Sequence, residues 1–397
     1  MIEDKREINN KYFYYFLSTL IFICCFPISY FTHITSKYVT TLNIGVVILL
    51  FIISLIALTK SIRPSNESII LFTWIIYIIF VAWINKNLTN ETVTTLLRLA
   101  IPFLFLDLCR NKLNLRIMIV KIWRFLFGIT VFIDILTMLK YPAGMYTTLY
   151  TTNWFLGYKT ERFGFYLILI VLSIWLDQIK HHKIGINNYI LLIISLFALN
   201  HSQASASVNS LIIFGILLII ISISKSSKII QNITKVIVNY KFILLCCLIV
   251  YFAFFSISRL SFIQNFVENV LHKDATLTTR TFIWNSLFSL FNIKSYFMGL
   301  GWLSFQDYQV LTRNPYATNP HNMFLSLLIT GGIIGFVLYI LLLLRIMHVK
   351  QQTETQKILL ISIFTVLICG ITSSAFVFTG TIYLLLGLLN SSKGEKC

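Results

Sequence analysis

Apolar runs follow one another along almost the whole chain, each bounded by a short polar or charged stretch. Runs of about 17 to 25 residues have the length a helix needs to cross a hydrocarbon layer roughly 30 Å thick. The pattern predicts spans at 12–32, 39–58, 68–84, 92–108, 117–139, 162–178, 189–203, 204–224, 242–258, 322–347, 357–374 and 375–390. It therefore predicts an all-α polytopic membrane protein of about 12 transmembrane helices, with 1–397 as a single integral-membrane domain. The first run follows MIEDKREINNK, which mixes charges too much for a signal-peptide n-region. No small-residue cleavage site follows it, so the run is expected to be retained.

Composition agrees with the pattern: 57% of residues are hydrophobic and 12% are charged, which excludes a string of soluble domains. The net charge of +18 invites a nucleic-acid reading, but the positions of the basic residues account for it differently. With both termini cytoplasmic, 21 of the 32 Lys and Arg fall in cytoplasmic segments and helix ends. Basic residues in short loops are retained on that side. The charge is then mostly a topology signal, and no nucleic-acid partner is expected. The cysteines add little: Cys24-Cys25 and Cys246-Cys247 are adjacent pairs inside spans, Cys397 makes no prenylation box, and no Cys/His spacing suggests a metal.

With this orientation, two external segments exceed turn length. The medium loop, 140–161, is rich in aromatics, and the long loop, 259–320, is the longest polar stretch in the chain. Loops this long are usually functional or disordered, and this one has the apolar periodicity that disorder lacks. Within TLTTRTFIWNSLFSLF, helical spacing of Ile283, Leu287, Leu290 and Phe291 predicts a short amphipathic helix resting on the membrane surface. A folded loop between spans 9 and 10, over a helical bundle, has the form of an active-site lid.

His321 stands where the long loop re-enters the membrane, in PHNMFLSLLITGGIIG. Two readings apply. Asn319-Pro320-His321-Asn322 starts a helix, with Asn as cap and Pro fixing the entry angle. Alternatively, a histidine at a membrane-water boundary accepts a proton from a hydroxyl. Gly331 and Gly335 make a GxxxG spacing that admits a neighbouring backbone. Inside predicted spans, Arg98 and Asp134 are costly unless paired or facing water, and pairing with each other is the first expectation; the alternative has Arg98 reaching toward a lipid.

The order of these residues resembles a known family. His321-Asn322, nine residues, Gly332, two residues and Gly335 look like the signature of the O-antigen ligase and O-antigen polymerase superfamily. Upstream, Arg280, Trp284, Gly299 and Gly301 fit the same pattern, so the resemblance covers about 60 residues. It implies a bundle like that of the GT-C membrane glycosyltransferases, and transfer of glycan from undecaprenyl pyrophosphate to an acceptor hydroxyl at the outer face. In that frame His321 is the general base or orients the acceptor. Arg280, Arg162 and, more weakly, Arg259 hold the pyrophosphate, since arginine is a permanently charged fork matched to phosphate oxygens. Asn322, Trp284, Gly332 and Gly335 support them.

The opposing readings stay open: Arg162 as an interfacial anchor, Arg280 as a surface charge, Arg313 as a solvated loop charge. Tyr141, Tyr146, Tyr150, Trp154, Tyr158, Trp302, Tyr308 and Tyr316 either stack on sugars or form an interfacial belt. Ser202-Gln203 stands where relatives commonly carry Ser-Arg, which removes one possible phosphate-binding cation.

The implied partners are the lipid-linked oligosaccharide donor and acceptor and membrane lipids, with a chain-length regulator and a flippase as candidates; no metal or cofactor is implied. Richness in Ile, Lys and Asn hints at an AT-rich, Gram-positive source, where an O-antigen ligase has no lipid A core to modify. The expectation is therefore a polymerase for a capsular, exopolysaccharide or O-antigen polymer, with a ligase as the alternative. A flippase would need internal repeats and short external loops. A different polyprenyl-phosphate glycosyltransferase would carry acids in its first external loop, where this chain has His33 and Lys37. A scaffold subunit would leave the Arg280 to Gly335 pattern unexplained.

Overall fold

The structure, a computed structural model, describes residues 2–59, 62–148, 151–224, 227–255, 280–315, 317–349, 352–371, 373 and 380–393. The helices are α1 (Ile2–Cys25), α2 (Ser29–Ile34), α3 (Ser36–Thr59), α4 (Asn66–Ile84), α5 (Asn90–Leu108), α6 (Leu113–Lys140), α7 (Arg162–His181), α8 (Ile186–His201) and α9 (Ser205–Ile223). They continue with α10 (Lys228–Ile237), α11 (Tyr240–Phe255), α12 (Arg280–Ser289), α13 (Ile293–Met298), α14 (Phe305–Thr312), α15 (Met323–Met347), α16 (Glu354–Ile371) and α17 (Gly380–Ser391). One two-stranded hairpin, β1 (Tyr146–Thr147) against β2 (Thr152–Asn153), lies in the medium loop.

A helix lies within every predicted span; residues 256–258, 372 and 374–379 of the ninth and last two spans lie outside the described residues, and elsewhere boundaries shift for local reasons. The first run was expected to be continuous over 12–32, but α1 stops at Cys25 and α2 begins at Ser29. Pro27 lies between them; it has no amide hydrogen to donate and disfavours helical geometry at Phe26. Elsewhere caps set the starts: Ser65 and Thr89 hydroxyls accept from the amides of Ser68 and Thr92, both at 3.1 Å.

Among the described residues, seven helices are long and apolar enough on their own to cross a membrane, against the twelve expected. A bent pair, α10 with α11 at 63°, makes an eighth candidate. The described apolar stretches Lys11–Cys25, α8 and α17 are shorter than a span, α5 carries Glu91, Arg98 and Asp107, and residues 375–379 of the last expected span lie outside the described residues.

Helix packing in lipid gains little from hydrophobicity, so close fit and hydrogen bonds hold the bundle. Trp74, Trp123 and Trp175 are fully enclosed, and α17 is buried along its length against α5. One end of the bundle is tied by a polar network. Asp107 accepts from Ser65 N (3.0 Å), Ser68 Oγ (2.7 Å) and Asn390 Nδ2 (3.1 Å), and Arg116 donates to Ser391 O at 2.6 Å. The opposite end, the loop face, gathers α2, the α4–α5 turn, the medium loop and residues 280–321. There Tyr30 N donates to Phe155 O (3.2 Å) and Asn87 Nδ2 to Leu300 O (2.9 Å).

The expected pairing of Arg98 with Asp134 is not made. Asp134 is fully buried and pairs with Arg162, whose Nε and Nη2 both reach Oδ2 at 2.7 Å. Its other oxygen accepts from Leu156 N at 3.0 Å, and Tyr166 OH donates to Oδ2 at 2.8 Å. Asp134 therefore anchors the medium loop to α6 and α7, while Arg98 donates to Asn43 Oδ1 at 2.7 Å. Removing one partner of a buried pair strands the other's charge at a cost of roughly 3–5 kcal/mol. Asp134→Asn is expected to lower the thermal unfolding midpoint of the purified protein strongly. Arg162→Met added to it should recover part of the loss, and a midpoint unchanged in the single variant contradicts the assignment.

Candidate active site

The second half of the long loop is a folded unit with its own small core. α12 does not rest on a membrane surface as its periodicity predicted: Ile283, Trp284 and Leu287 are buried against Tyr308, Ala317, Leu325 and Ile329. The hydrophobic face found a protein partner, α14 and the start of α15, because the loop folds back over them. Two capping boxes define its short helices, Asn292 with Ser295 before α13 and Ser304 with Asp307 before α14.

This unit is seated on the bundle by glycines. α15 carries a break at Gly332 (φ 60°, ψ −164°), and the segment Gly299-Leu300-Gly301 lies against it, both glycines at φ +84°. Leu300 N donates to Ile329 O at 2.6 Å. A Cβ on Gly299 would stand 2.6 Å from Gly332 N, and one on Gly332 would collide with the Phe297 carbonyl. Gly331 and Gly335 face α4, but what fills the space is the side chains of Tyr77 and Ile78 and not the neighbouring backbone that GxxxG led one to expect; Tyr77 OH donates to Gly331 O at 3.0 Å. Gly299 and Gly332 thus serve a backbone-to-backbone contact, whereas Gly301 and Gly335 make room for the side chains of Asn87 and of Tyr77 and Ile78.

On that base stand the candidate residues. Asn322 is the N-cap of α15, accepting from Leu325 N at 3.0 Å, and its Nδ2 donates to Ile371 O at 2.9 Å. The helix-start reading thus holds for Asn322. His321 is different: it adopts φ 49°, a left-handed conformation uncommon outside glycine, held by its amide donating to Asn319 Oδ1 at 2.7 Å. Trp284 fixes the preceding residue, its Nε1 donating to Pro320 O at 2.7 Å. Arg280 lies four residues before Trp284, on the same face of α12, which brings it to His321.

Arg280 is half-buried and makes no hydrogen bond or ion pair among the described residues. Burial lowers its pKa, and the phenol of Tyr158, from the medium loop, lies within its electrostatic reach. The His321 imidazole is lowered to about 4, first by burial and then by the Arg280 charge, so it is neutral at pH 7. Among the described residues this leaves a desolvated cation without a counter-ion beside a neutral imidazole, an arrangement whose chemistry suits an anion next to a proton acceptor.

The other expected residues fall elsewhere. Arg162 is fully enclosed in its pair with Asp134, its guanidinium 5.1 Å from the Trp154 ring, with Nη1 buried and unbonded. It is neither an interfacial anchor nor open to the surface. Arg259 lies outside the described residues. Arg313 ends α14 exposed, as a solvated loop charge. Trp154 and Tyr308 are buried and present no face to a sugar, Tyr141 is exposed, Tyr146, Tyr158 and Trp302 are half-buried, and Tyr150 and Tyr316 lie outside the described residues. Glu161 was not anticipated: its Oε2 accepts from Ser29 Oγ (3.2 Å) and Tyr158 N (3.1 Å), tying α2 to the loop segment that approaches Arg280. It is the lone acid of 140–161, a signal the sequence offered.

The family model described as O-antigen ligase matches residues 190–340. The similarity to that family is carried by this segment. The match supports the superfamily of O-antigen polymerases and ligases and fits a multi-pass bacterial membrane protein that transfers glycan. The matched segment holds Arg280, Trp284, His321, Asn322, Gly332 and Gly335, while the medium loop and Arg162 come from outside it. Neither the curated proteins nor the solved structures gave a match. Because Gly332 leaves no space for a Cβ and sits at positive φ, Gly332→Ala should unseat the α12–α14 unit. Limited proteolysis of membranes is expected to cut within 280–320 in this variant and not in wild type; equal protection in both would contradict the contact.

Proposed function

We propose that this protein polymerises lipid-linked oligosaccharide repeat units at the outer face of the cytoplasmic membrane. Both termini are cytoplasmic in this reading, and the loop face is external, as the bias of basic residues favours. The observation that carries the reading is Arg280, a desolvated cation with no ion pair among the described residues, beside His321 within the segment similar to the O-antigen ligase family.

The donor's pyrophosphate binds Arg280, whose fork stabilises the charge that grows as the group leaves. Arg259 is a further candidate ligand, and Arg162, enclosed with Asp134, contributes by fixing the loop around the site. The acceptor hydroxyl oxygen attacks the anomeric carbon, and the carbon–oxygen bond to pyrophosphate breaks with its electron pair leaving on phosphate. The configuration inverts in one displacement, without a metal. His321 receives the hydroxyl proton. A group lowered to about 4 is a weak base, but a bound pyrophosphate offsets the Arg280 charge that contributes to lowering it. Donor binding thereby raises the basicity of His321 when it is needed. A ligase reading differs only in the acceptor, and the family match fits both.

Polymer length on a gel tests this, in cells lacking the gene and complemented at equal membrane abundance. Wild type should restore long chains, whereas His321→Ala and Arg280→Ala should leave single repeat units; full-length polymer from both variants would overturn the reading. The pH profile follows from the imidazole's protonation. His321 is unprotonated above its pKa, so the acid limb of kcat/KM should fall near pH 4 and that of kcat at a higher pH. Coincident limbs near 6.5 would contradict the coupling.

A further inference from the structure

A second cation on the loop-face half of the bundle is unused by this mechanism. Arg98 lies on α5 eight residues after its first residue, Asn90, about 12 Å along the axis, and its side chain leans toward the loop face. It belongs to none of the ion pairs among the described residues. Nη2 donates to Asn43, and Nε is buried with no partner. Its hydrogen-bond partner is neutral, and the Glu91 carboxylate near the start of α5 is within electrostatic reach but makes no ion pair with it, so the buried Nε still suits an anionic acceptor.

An apolar crevice of about 370 Å³ lies between α1, α2 and α3, lined by Phe22, Phe26, Ile28, Phe31, Ile34 and Tyr38; Arg98 does not line it. Tyr38 belongs to both, because it lines the crevice and stands within electrostatic reach of Arg98, as does Cys24 next to Phe22 and Ile23. A cation joined to an apolar slot fits an amphiphile with an anionic head.

The rings continue from the crevice toward the active site. Phe31 packs edge-on to Phe155 (5.7 Å), Tyr30 lies against Tyr146 (5.8 Å), and His33 stacks on Tyr146 (4.5 Å). Tyr146 and Phe155 are in the medium loop, which brings Tyr158 to Arg280. We propose that Arg98 and the α1–α3 crevice bind the phosphate and the first isoprene units of the acceptor lipid. Its glycan then lies along Tyr30, His33 and Tyr146 toward His321. This rests on the polymerase reading, which requires two isoprenoid-linked molecules at once. A bulk phospholipid has an anionic head but no glycan to use the aromatic path.

Native mass spectrometry of the full chain in phosphatidylcholine nanodiscs, titrated with undecaprenyl phosphate, tests it. Wild type should bind two molecules, one of them lost or weakened at least tenfold in Arg98→Gln. Ile34→Trp, which fills the crevice from a residue 58% exposed, should do the same without touching the core. Arg280→Ala should spare this site. Undiminished binding in both crevice variants, or displacement of the lipid by an equal amount of phosphatidylglycerol, would overturn the proposal. Binding is read without glycan transfer, so a chain that binds as described but makes no polymer in cells would count against the function proposed above and not against this site.

Discussion

The candidate site depends on a contact between two stretches of bare backbone. At Gly332 the helix α15 breaks, and the turn Gly299-Leu300-Gly301 fills the break so closely that neither Gly299 nor Gly332 has room for a side chain. Interiors are packed near crystal density and transmit strain, so this seat fixes the whole α12–α14 unit relative to the bundle. From that seat α12 reaches across to Pro320 through Trp284, and His321 and Arg280 are brought together as a consequence. The arrangement sets reactive groups on a rigid helix and a pinned turn, with the entropic cost of their alignment met on folding.

The arginines divide the work by their partners. Arg162 has a buried carboxylate and is spent on architecture, holding the medium loop through Asp134 and Leu156. Among the described residues Arg280 makes no ion pair, and Arg98 hydrogen-bonds Asn43 with Glu91 only within electrostatic reach. A cation left unneutralised in a low-dielectric setting is poised for an anion, because the ligand's charge then repays a desolvation already incurred. The left-handed backbone at His321 is a second stored cost at the same place, held by Asn319 on one side and by the Asn322 cap on the other.

Much of this was legible in the order of residues. Twelve helices stand where apolar runs predicted them, because run length and polar breaks are local properties. The spacing of Arg280, Trp284, the two glycine motifs and His321 pointed to one site, and α4 does approach Gly331 and Gly335, through side chains rather than backbone. Partner choice was not legible. Asp134 pairs with Arg162 rather than Arg98 because the fold of α6 on α7 decides which charges meet, and periodicity is silent on that. For the same reason the apolar face of α12 indicated burial without saying whether lipid or protein would cover it. Glu161 and Ser29 lie 132 positions apart in the chain, and only tertiary structure joins them.

The central claim is that Arg280 and His321 act as one unit on a pyrophosphate-linked glycan. A double-mutant cycle on purified protein tests it most directly, following release of undecaprenyl pyrophosphate from a lipid-linked repeat unit. Residues that act together are non-additive. Arg280→Ala and His321→Ala should each lower kcat/KM by about 100-fold or more, and the double variant should lose little beyond the worse single. Independent, multiplying losses, or turnover unchanged in either single variant, would contradict the account.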